Sequence, residues 1–248
     1  FCRYLMEKLD IIIPVRNEVE NVEELAKRIH STLSKAGISE RMIFVDDKST
    51  DKTAERIRKL SIDYPVVLLQ KKGEIGKAYS ILEALEVTKS ERIAMIDGDL
   101  QYPPEILPQM YELARKHGVV VANRKNHKTR ILRKVGSKLN SLIFEKILHG
   151  FNCDTQSGLK VFRREIIEHL DEKEVTPWAL DMPLLNTARE LGYSIGCVDI
   201  DFEERKNGKS KIHFIKASIE IALGSIKLKI KRPKVYHLKP EGSGSMMG

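Results

Sequence analysis

The chain has 248 residues, and 43 Lys and Arg against 35 Asp and Glu give it a formal charge of +8. Its 42% hydrophobic and 31% charged composition is that of a folded protein and excludes general disorder. The positive excess implies an anionic partner, but nucleic acid, anionic lipid and a phosphorylated substrate all qualify, and charge alone does not choose among them.

Short apolar runs alternate with amphipathic helical patterns from Leu9 to Arg124, which predicts an α/β fold with a parallel sheet covered by helices. The first strand is predicted over Leu9 to Val15. A helix follows from Asn21, whose partner Glu24 suggests a capping box, with Leu25, Ile29 and Leu33 on its buried face and Gly37 at its stop. Met42 to Val45 reads as the second strand. The turn-rich stretch from Asp46 to Asp51 then leads into a helix through Ile57 and Leu60, with Asp51 as its cap. Val66 to Leu69 is a third strand, Lys77 to Val87 a helix, Arg92 to Ile96 a fourth strand, Pro104 to Lys116 a helix and Val119 to Ala122 a fifth strand. Beyond Arg124 comes a basic, apolar helical pattern from Ile131 to Leu148, and Leu159 to Phe162 and Tyr193 to Asp201 then read as strands.

The residues from Ile212 to Lys231 place Ile215, Ile219, Leu223 and Ile226 at helical spacing among several lysines. Such a helix lies in a lipid interface or packs on the core, and both readings stand. The basic stretch around Arg124, Arg130, Arg133 and Lys138 is either a solvated face or a phosphate-neutralising one. No run of about 18 uncharged apolar residues occurs, so any membrane contact is expected to be peripheral. Cys2, Cys153 and Cys197 have no paired spacing, so neither a disulfide framework nor a zinc site is expected, and a reducing compartment fits. The seven histidines show no metal-ligand spacing.

Two acidic clusters carry the chemistry. Asp97-Gly98-Asp99-Leu100-Gln101 follows a predicted strand directly, where ligands of open α/β sheets bind. Two carboxylates separated by a glycine can approach one hard cation while phosphate oxygens complete its shell. The calcium-loop pattern is excluded, since Tyr102 and Pro108 stand where it needs Gly and Glu. Asp46-Asp47-Lys48-Ser49-Thr50-Asp51 also follows a strand. Part of it is turn and cap, and the surplus carboxylates suit hydrogen bonds from a base or ribose. Gly73-Glu74-Ile75-Gly76-Lys77 has neither the P-loop nor the dinucleotide spacing. It reads as an ordinary loop and helix start, or as a turn whose Lys77 touches phosphate.

These motifs, with Ile13-Pro14-Val15-Arg16-Asn17-Glu18, Leu100-Gln101-Tyr102-Pro103-Pro104-Glu105, Asp154-Thr155-Gln156-Ser157-Gly158 and Gly208-Lys209-Ser210-Lys211, resemble the family 2 glycosyltransferases. Within them the chain is most similar to the dolichol-phosphate mannose synthase and polyprenyl-phosphate glycosyltransferase group. The resemblance runs from about Leu9 to Ile212. It implies a GT-A (Rossmann-like), mostly parallel sheet flanked by helices, with residues 6–212 as the transferase domain, 213–236 as a basic amphipathic helical segment and 237–248 as a tail.

The resemblance also implies roles. Pro14, Val15 and Glu18, with Asp46 or Asp47, are expected to hold the nucleoside. Asp97, Asp99 and Gln101 are expected to hold Mg2+ or Mn2+ and the diphosphate. Asp97, Asp99, Asp154 and Ser157 are the expected catalytic set, the latter two near the reacting sugar, and Arg124, Arg133 and Lys211 are expected to meet phosphates. Arg16 stands where the family often has Tyr, which leaves the nucleobase open. Gly98 stands for a frequent Ala, an exchange expected to be harmless.

The implied reaction is inverting transfer of a hexose from a nucleotide diphosphate sugar, GDP-mannose or UDP-glucose, to dolichyl or polyprenyl phosphate. It is expected on an anionic membrane surface, with the protein peripheral on the cytoplasmic face. A phosphate acceptor is already an anion and needs no base. A family 2 enzyme acting on a saccharide or protein hydroxyl would need one, with Asp154 or Asp181 as candidates. A non-catalytic nucleotide- or RNA-binding module is the other alternative. Nucleic acid is not the expected partner, because the acidic pair would repel it.

Overall fold

The computed structural model describes residues 8–125 and 153–203. The predicted helical stretches at 131–148 and 212–231, and the segments 213–236 and 237–248, lie outside them. Among the described residues seven strands form one sheet in the order β3-β2-β1-β4-β6-β5-β7. They are β1 (Lys8–Val15), β2 (Ser39–Asp46), β3 (Val66–Gln70), β4 (Arg92–Met95), β5 (Val119–Arg124), β6 (Lys160–Arg163) and β7 (Ile195–Ile200). All neighbours run parallel except β6, which is antiparallel to both β4 and β5. The α/β, mostly parallel architecture expected from the sequence is the one found.

Each central strand is apolar on both sides because both faces of the sheet are covered. Ile11, Ile13, Met42 and Phe44 face one core with Leu25, Ile29, Ile57, Leu107 and Met110. These come from α1 (Val22–Lys35), α2 (Thr53–Leu60) and α4 (Leu107–Leu113). Ile12, Ile43 and Val45 face the other core with Ile81, Ile166, Leu184 and Leu185, supplied by α3 (Lys77–Leu85), α5 (Arg164–Glu168) and α6 (Asp181–Glu190).

Several ends follow from single residues. Gly37 takes φ 71°, and Ile38 N–H returns to the Leu33 carbonyl at 3.0 Å, so α1 ends as the glycine foretold. The capping box does not form: Asn21 makes no side-chain cap, and its Nδ2 donates instead to Glu18 Oε2 at 2.6 Å. The helix predicted from Pro104 is split into a 3-10 turn, Pro104–Ile106, and α4. Pro108 has no N–H to return to the Pro104 carbonyl, so the α-helical ladder begins one residue earlier with Pro108 in its first turn. Pro14 lies past the last β1–β4 pair, Ile12 with Met95, where its missing N–H leaves no bond to β4 unmade.

The cysteines correct the sequence reading. Cys153 and Cys197 form a disulfide, with Cα atoms 6.0 Å apart. Their separation of 44 residues left no local signal. The bridge ties the residue before Asp154 to β7.

At the end of the sheet away from the strand C-termini, Asp10 is 2% exposed. It accepts from Arg41 Nε and Nη2, each at 2.9 Å, and from the N–H groups of Lys89 and Ser90 at 2.5 and 2.9 Å. Burial alone would raise its pKa, but these bonds outweigh it and hold the carboxyl below the ordinary 3.8. A lowered carboxyl stabilises the fold above its unfolded pKa, and that contribution is lost as pH falls through the folded value. Asp10→Ala, which leaves Arg41 with the Val87 carbonyl and unpairs the Lys89 and Ser90 N–H groups, is expected to cost about 2–4 kcal/mol in urea denaturation at pH 7. Asp10→Asn should lose less stability than the parent as pH falls through and below 3.8, a flatter acid limb checked by the same titration.

Candidate active site

The carboxyl ends of β1, β2, β4 and β5 and the start of β6 meet at one edge of the sheet. Because β6 is antiparallel and inserted between β4 and β5, Lys160 pairs with both Met95 and Val121. The 154–158 turn that precedes it is thereby delivered beside Asp97. This juxtaposition joins residues about sixty positions apart and builds one half of the site.

One side of the site is knitted from the loops after β1 and β2. Asn17 N–H donates to Ser49 Oγ at 2.8 Å, Thr50 N–H to Asn17 Oδ1 at 2.7 Å, and Ser49 N–H to Asp46 Oδ1 at 3.2 Å. Glu18, 8% exposed, donates its N–H to Thr53 Oγ1 at 2.9 Å. Asp46 and Asp47 are both buried. Asp47 accepts from Gly76 N–H at 3.0 Å and lies 3.2 Å from Lys71 Nζ, a cation buried with it. Pro14, Val15, Glu18, Asp46 and Asp47 are thus brought together.

The second half lies at the end of β4. Asp97 is ion-paired with Lys77, the first residue of α3. Burial works against that ammonium, but the charges of Asp97 and Asp181 outweigh it and raise its pKa. Asp99, 8% exposed, accepts from Gln101 N–H at 3.2 Å. Gln101 exchanges bonds with Glu203: its carbonyl accepts from Glu203 N–H at 3.0 Å and its Nε2 donates to the Glu203 carbonyl at 3.2 Å. Non-glycine residues take left-handed φ after each of β1, β2 and β4: Asn17 at 52°, Lys48 at 59° and Leu100 at 61°. Backbone strain of this kind gathers at sites where the surrounding structure holds it.

On the β5–β6 side, Arg124 Nη2 donates to Asp154 Oδ1 at 2.9 Å and its Nε to Oδ2. Its guanidinium lies 5.3 Å from the Phe202 ring. Burial opposes the charge on Arg124, yet Asp154 and its neighbours raise its pKa. Lys160, fully buried in β6, contacts the Ser157 carbonyl and lies 2.5 Å from Asp181 Oδ1. Desolvation lowers its pKa, with Asp181 opposing. Tyr102 hydroxyl accepts from Gly158 N–H at 2.7 Å, and burial pushes its pKa up to about 12.

Ser157 is fully buried, and its hydroxyl bonds to the Leu159 carbonyl and N–H, each at 3.3 Å, so it shapes the turn. One sequence expectation changes here. Gly98 is not freely exchangeable for Ala: a Cβ there would meet Val15 Cγ1 at 2.6 Å. Arg133 and Lys211 lie outside the described residues. Lys71, Lys160 and Tyr102 were not expected in the site. A lysine inside the apolar run Leu159-Lys160-Val161-Phe162 was the available signal, because a charge in a central strand must have a partner.

The sequence model described as glycosyl transferase family 2 matches residues 10–171. The chain belongs to that family. A dolichol-phosphate mannosyltransferase of Pyrococcus furiosus is 31% identical over 173 residues, 66% of this chain and 48% of the relative. An undecaprenyl-phosphate 4-deoxy-4-formamido-L-arabinose transferase of Pectobacterium carotovorum is 26% identical over 217 residues, 85% of this chain and 64% of the relative. The chain therefore spans about half to two thirds of the length of these relatives. Among solved structures, glucosyl-3-phosphoglycerate synthase from Mycobacterium tuberculosis, crystallised with Mn2+, uridine diphosphate and phosphoglyceric acid, superposes with a TM-score of 0.71 at 18% identity. That match covers 90% of this chain and 78% of the other. Mannosyl-3-phosphoglycerate synthase from Rubrobacter xylanophilus gives 0.68 at 21%, covering 94% and 77%. These neighbours share the GT-A fold with this family 2 chain.

The tight fit at Gly98 generates a prediction. Gly98→Ala is expected to force the stiff, β-branched Val15 from its rotamer and to lower stability by about 1–3 kcal/mol. Thermal melts of the pair Gly98→Ala and Gly98→Ala/Val15→Ala check it, since trimming Val15 removes the clash.

Proposed function

We propose that this chain transfers a hexose from a nucleoside diphosphate donor to a polyprenyl or dolichyl phosphate. The observation that carries the reading is the state of the acceptor-side carboxylates. Transfer to a hydroxyl needs a base placed to take its proton. Of the two candidates, Asp154 is oriented by Arg124 through both oxygens and Asp181 is paired at Oδ1 with the buried Lys160, so each already serves as the partner of a cation. An acceptor that arrives as an anion needs neither. The two curated relatives described above, both named as transferases of polyprenyl phosphates, support the same class.

The donor side follows from the loops. Asp46, Asp47 and Glu18 offer acceptors to the nucleoside's hydroxyl and N–H groups, and Pro14 and Val15 form the apolar wall beside them. The residues at the end of β4 fit a divalent cation. Asp97 and Asp99 are hard oxygen donors, a cation, Lys77, already rests on Asp97, and Gln101 uses its Nε2 on Glu203, which leaves Oε1 as its ligand atom. Asp97, Asp99 and Gln101 would hold Mg2+ or Mn2+, and such a cation supplies Lewis-acid stabilisation to the departing diphosphate. Arg124, with Arg133 and Lys211, would orient the acceptor phosphate and offset its repulsion from the donor. Mannose or glucose is the favoured hexose, from GDP or UDP.

We place the protein on the cytoplasmic face of a membrane, where an anionic leaflet attracts its net charge of +8. The Cys153–Cys197 bridge withdraws the cysteine argument for a reducing compartment, so charge alone supports that location.

The test offers GDP-mannose and UDP-glucose with polyprenyl phosphate, a neutral saccharide and phosphoglyceric acid in separate arms, and follows products by mass. Glycolipid from the lipid phosphate arm is expected. Efficient use of a hydroxyl acceptor with the lipid ignored would replace this reading by the saccharide- or protein-modifying one. Asp99→Ala is expected to abolish transfer without lowering the melting temperature, and exhaustive chelation should abolish it reversibly. Turnover that survives either treatment removes the metal assignment.

A further inference from the structure

Lys77 was left between an ordinary helix start and a phosphate contact by the sequence, yet its place is closely determined. The residue before it is held from the nucleoside side: Gly76 N–H donates to Asp47 Oδ2 at 3.0 Å, and its carbonyl accepts from Lys71 Nζ at 2.7 Å. The residue after it is held from the other side, where Ala78 N–H donates to the Pro177 carbonyl at 3.0 Å. Gly76 has no room to shift, because a Cβ there would meet Pro177 at 2.7 Å. Lys77 therefore starts between Asp47 and the turn before α6, and its side chain, 30% exposed, ends on Asp97. Asp97 is itself backed by Gly158, where a Cβ would collide with its carboxylate.

A nucleoside at Asp46 and Asp47 and a cation at Asp97 and Asp99 leave the diphosphate to bridge the gap that the Lys77 stem spans. A divalent cation and an ammonium at one carboxylate repel, so each weakens the other's hold on Asp97. Without a donor, a displaced ammonium loses its ion pair with Asp97, its one such partner among the described residues. With a donor present it gains phosphate oxygens instead.

Resting on the donor reading above, we propose that Lys77 is an internal counter-ion that neutralises Asp97 in the substrate-free protein and passes to the donor's diphosphate when a divalent cation takes Asp97. Metal and nucleoside diphosphate then bind as a coupled pair, and the metal alone binds weakly. Lys77 is a binding residue for the diphosphate in one state and a competitor of the metal in the other.

The experiment is a Mn2+ titration of the purified protein, read by the electron paramagnetic resonance of free Mn2+, alone and with GDP or UDP. The parent should bind Mn2+ about tenfold or more tightly with one of the nucleotides than without. Lys77→Met should bind Mn2+ alone about tenfold more tightly than the parent and the nucleotide, at saturating Mn2+, about tenfold more weakly, with the coupling reduced to what direct attraction between metal and diphosphate supplies. Lys77→Arg, which keeps the charge, should stay close to the parent, and Lys77→Gln serves if Lys77→Met does not fold. Opposite signs for metal and nucleotide are the signature. If both affinities fall together, Lys77 is structural and the proposal is overturned, as it is if neither moves. A parent protein that binds no Mn2+ with either nucleotide overturns the donor reading and this proposal with it.

Discussion

Six aspartates crowd one end of this sheet, and four of them are matched by a cation. Asp47 has Lys71, Asp97 has Lys77, Asp154 has Arg124 and Asp181 has Lys160. Carboxylates held in a partly water-excluded cleft repel one another and pay for lost hydration, so a site of this kind exists only where opposite charges are supplied at close range. Two of the cations, Lys71 and Lys160, have fully buried side chains, which makes the dependence mutual. The site joins these pairs to the buried Asp46 and Asp99, which accept backbone N–H bonds, and under the proposal for Lys77 a divalent cation enters it by exchanging partners.

The exchange has unequal costs across the set. Asp154 is gripped by two guanidinium nitrogens, and Asp181 by a lysine with no exposure, so both are fixed features of the wall. Lys77 and Asp97 are each about a third exposed and are the pair a ligand can reach. That asymmetry separates the pairs held in the wall from the one that a ligand can reach.

Position at the site depends on backbone as much as on charge. The 154–158 turn is clamped by the Cys153–Cys197 bridge at its start, by Tyr102 at Gly158 and by the antiparallel strand β6 at its end. Glycines at 98 and 158 let Val15 and the Asp97 carboxylate approach where any side chain would intrude. Three left-handed residues after three strands set the loops that carry the acidic motifs. Gln101, by exchanging bonds with Glu203, ties the loop after β4 to the segment that follows β7.

The sequence by itself determined the alternation of strands and helices, the burial of each central strand on both faces, the stop at Gly37 and the two acidic motifs at strand ends. These are legible because period, turn chemistry and strand-end placement act over a few residues. It did not determine that Asn21 would turn to Glu18 instead of capping α1, or that Pro108 would split the following helix from its 3-10 start. The partners of the aspartates were equally hidden: Lys160 reaches Asp181 from β6, inserted between β4 and β5, and Lys77 reaches Asp97 from the start of α3, beside the end of β4. Cys153 and Cys197, 44 residues apart, meet for a similar reason, β7 lying beside β5. Strand order and the pairing of distant charges are decided when the two cores close on the sheet, since neither leaves a pattern in any local stretch of chain.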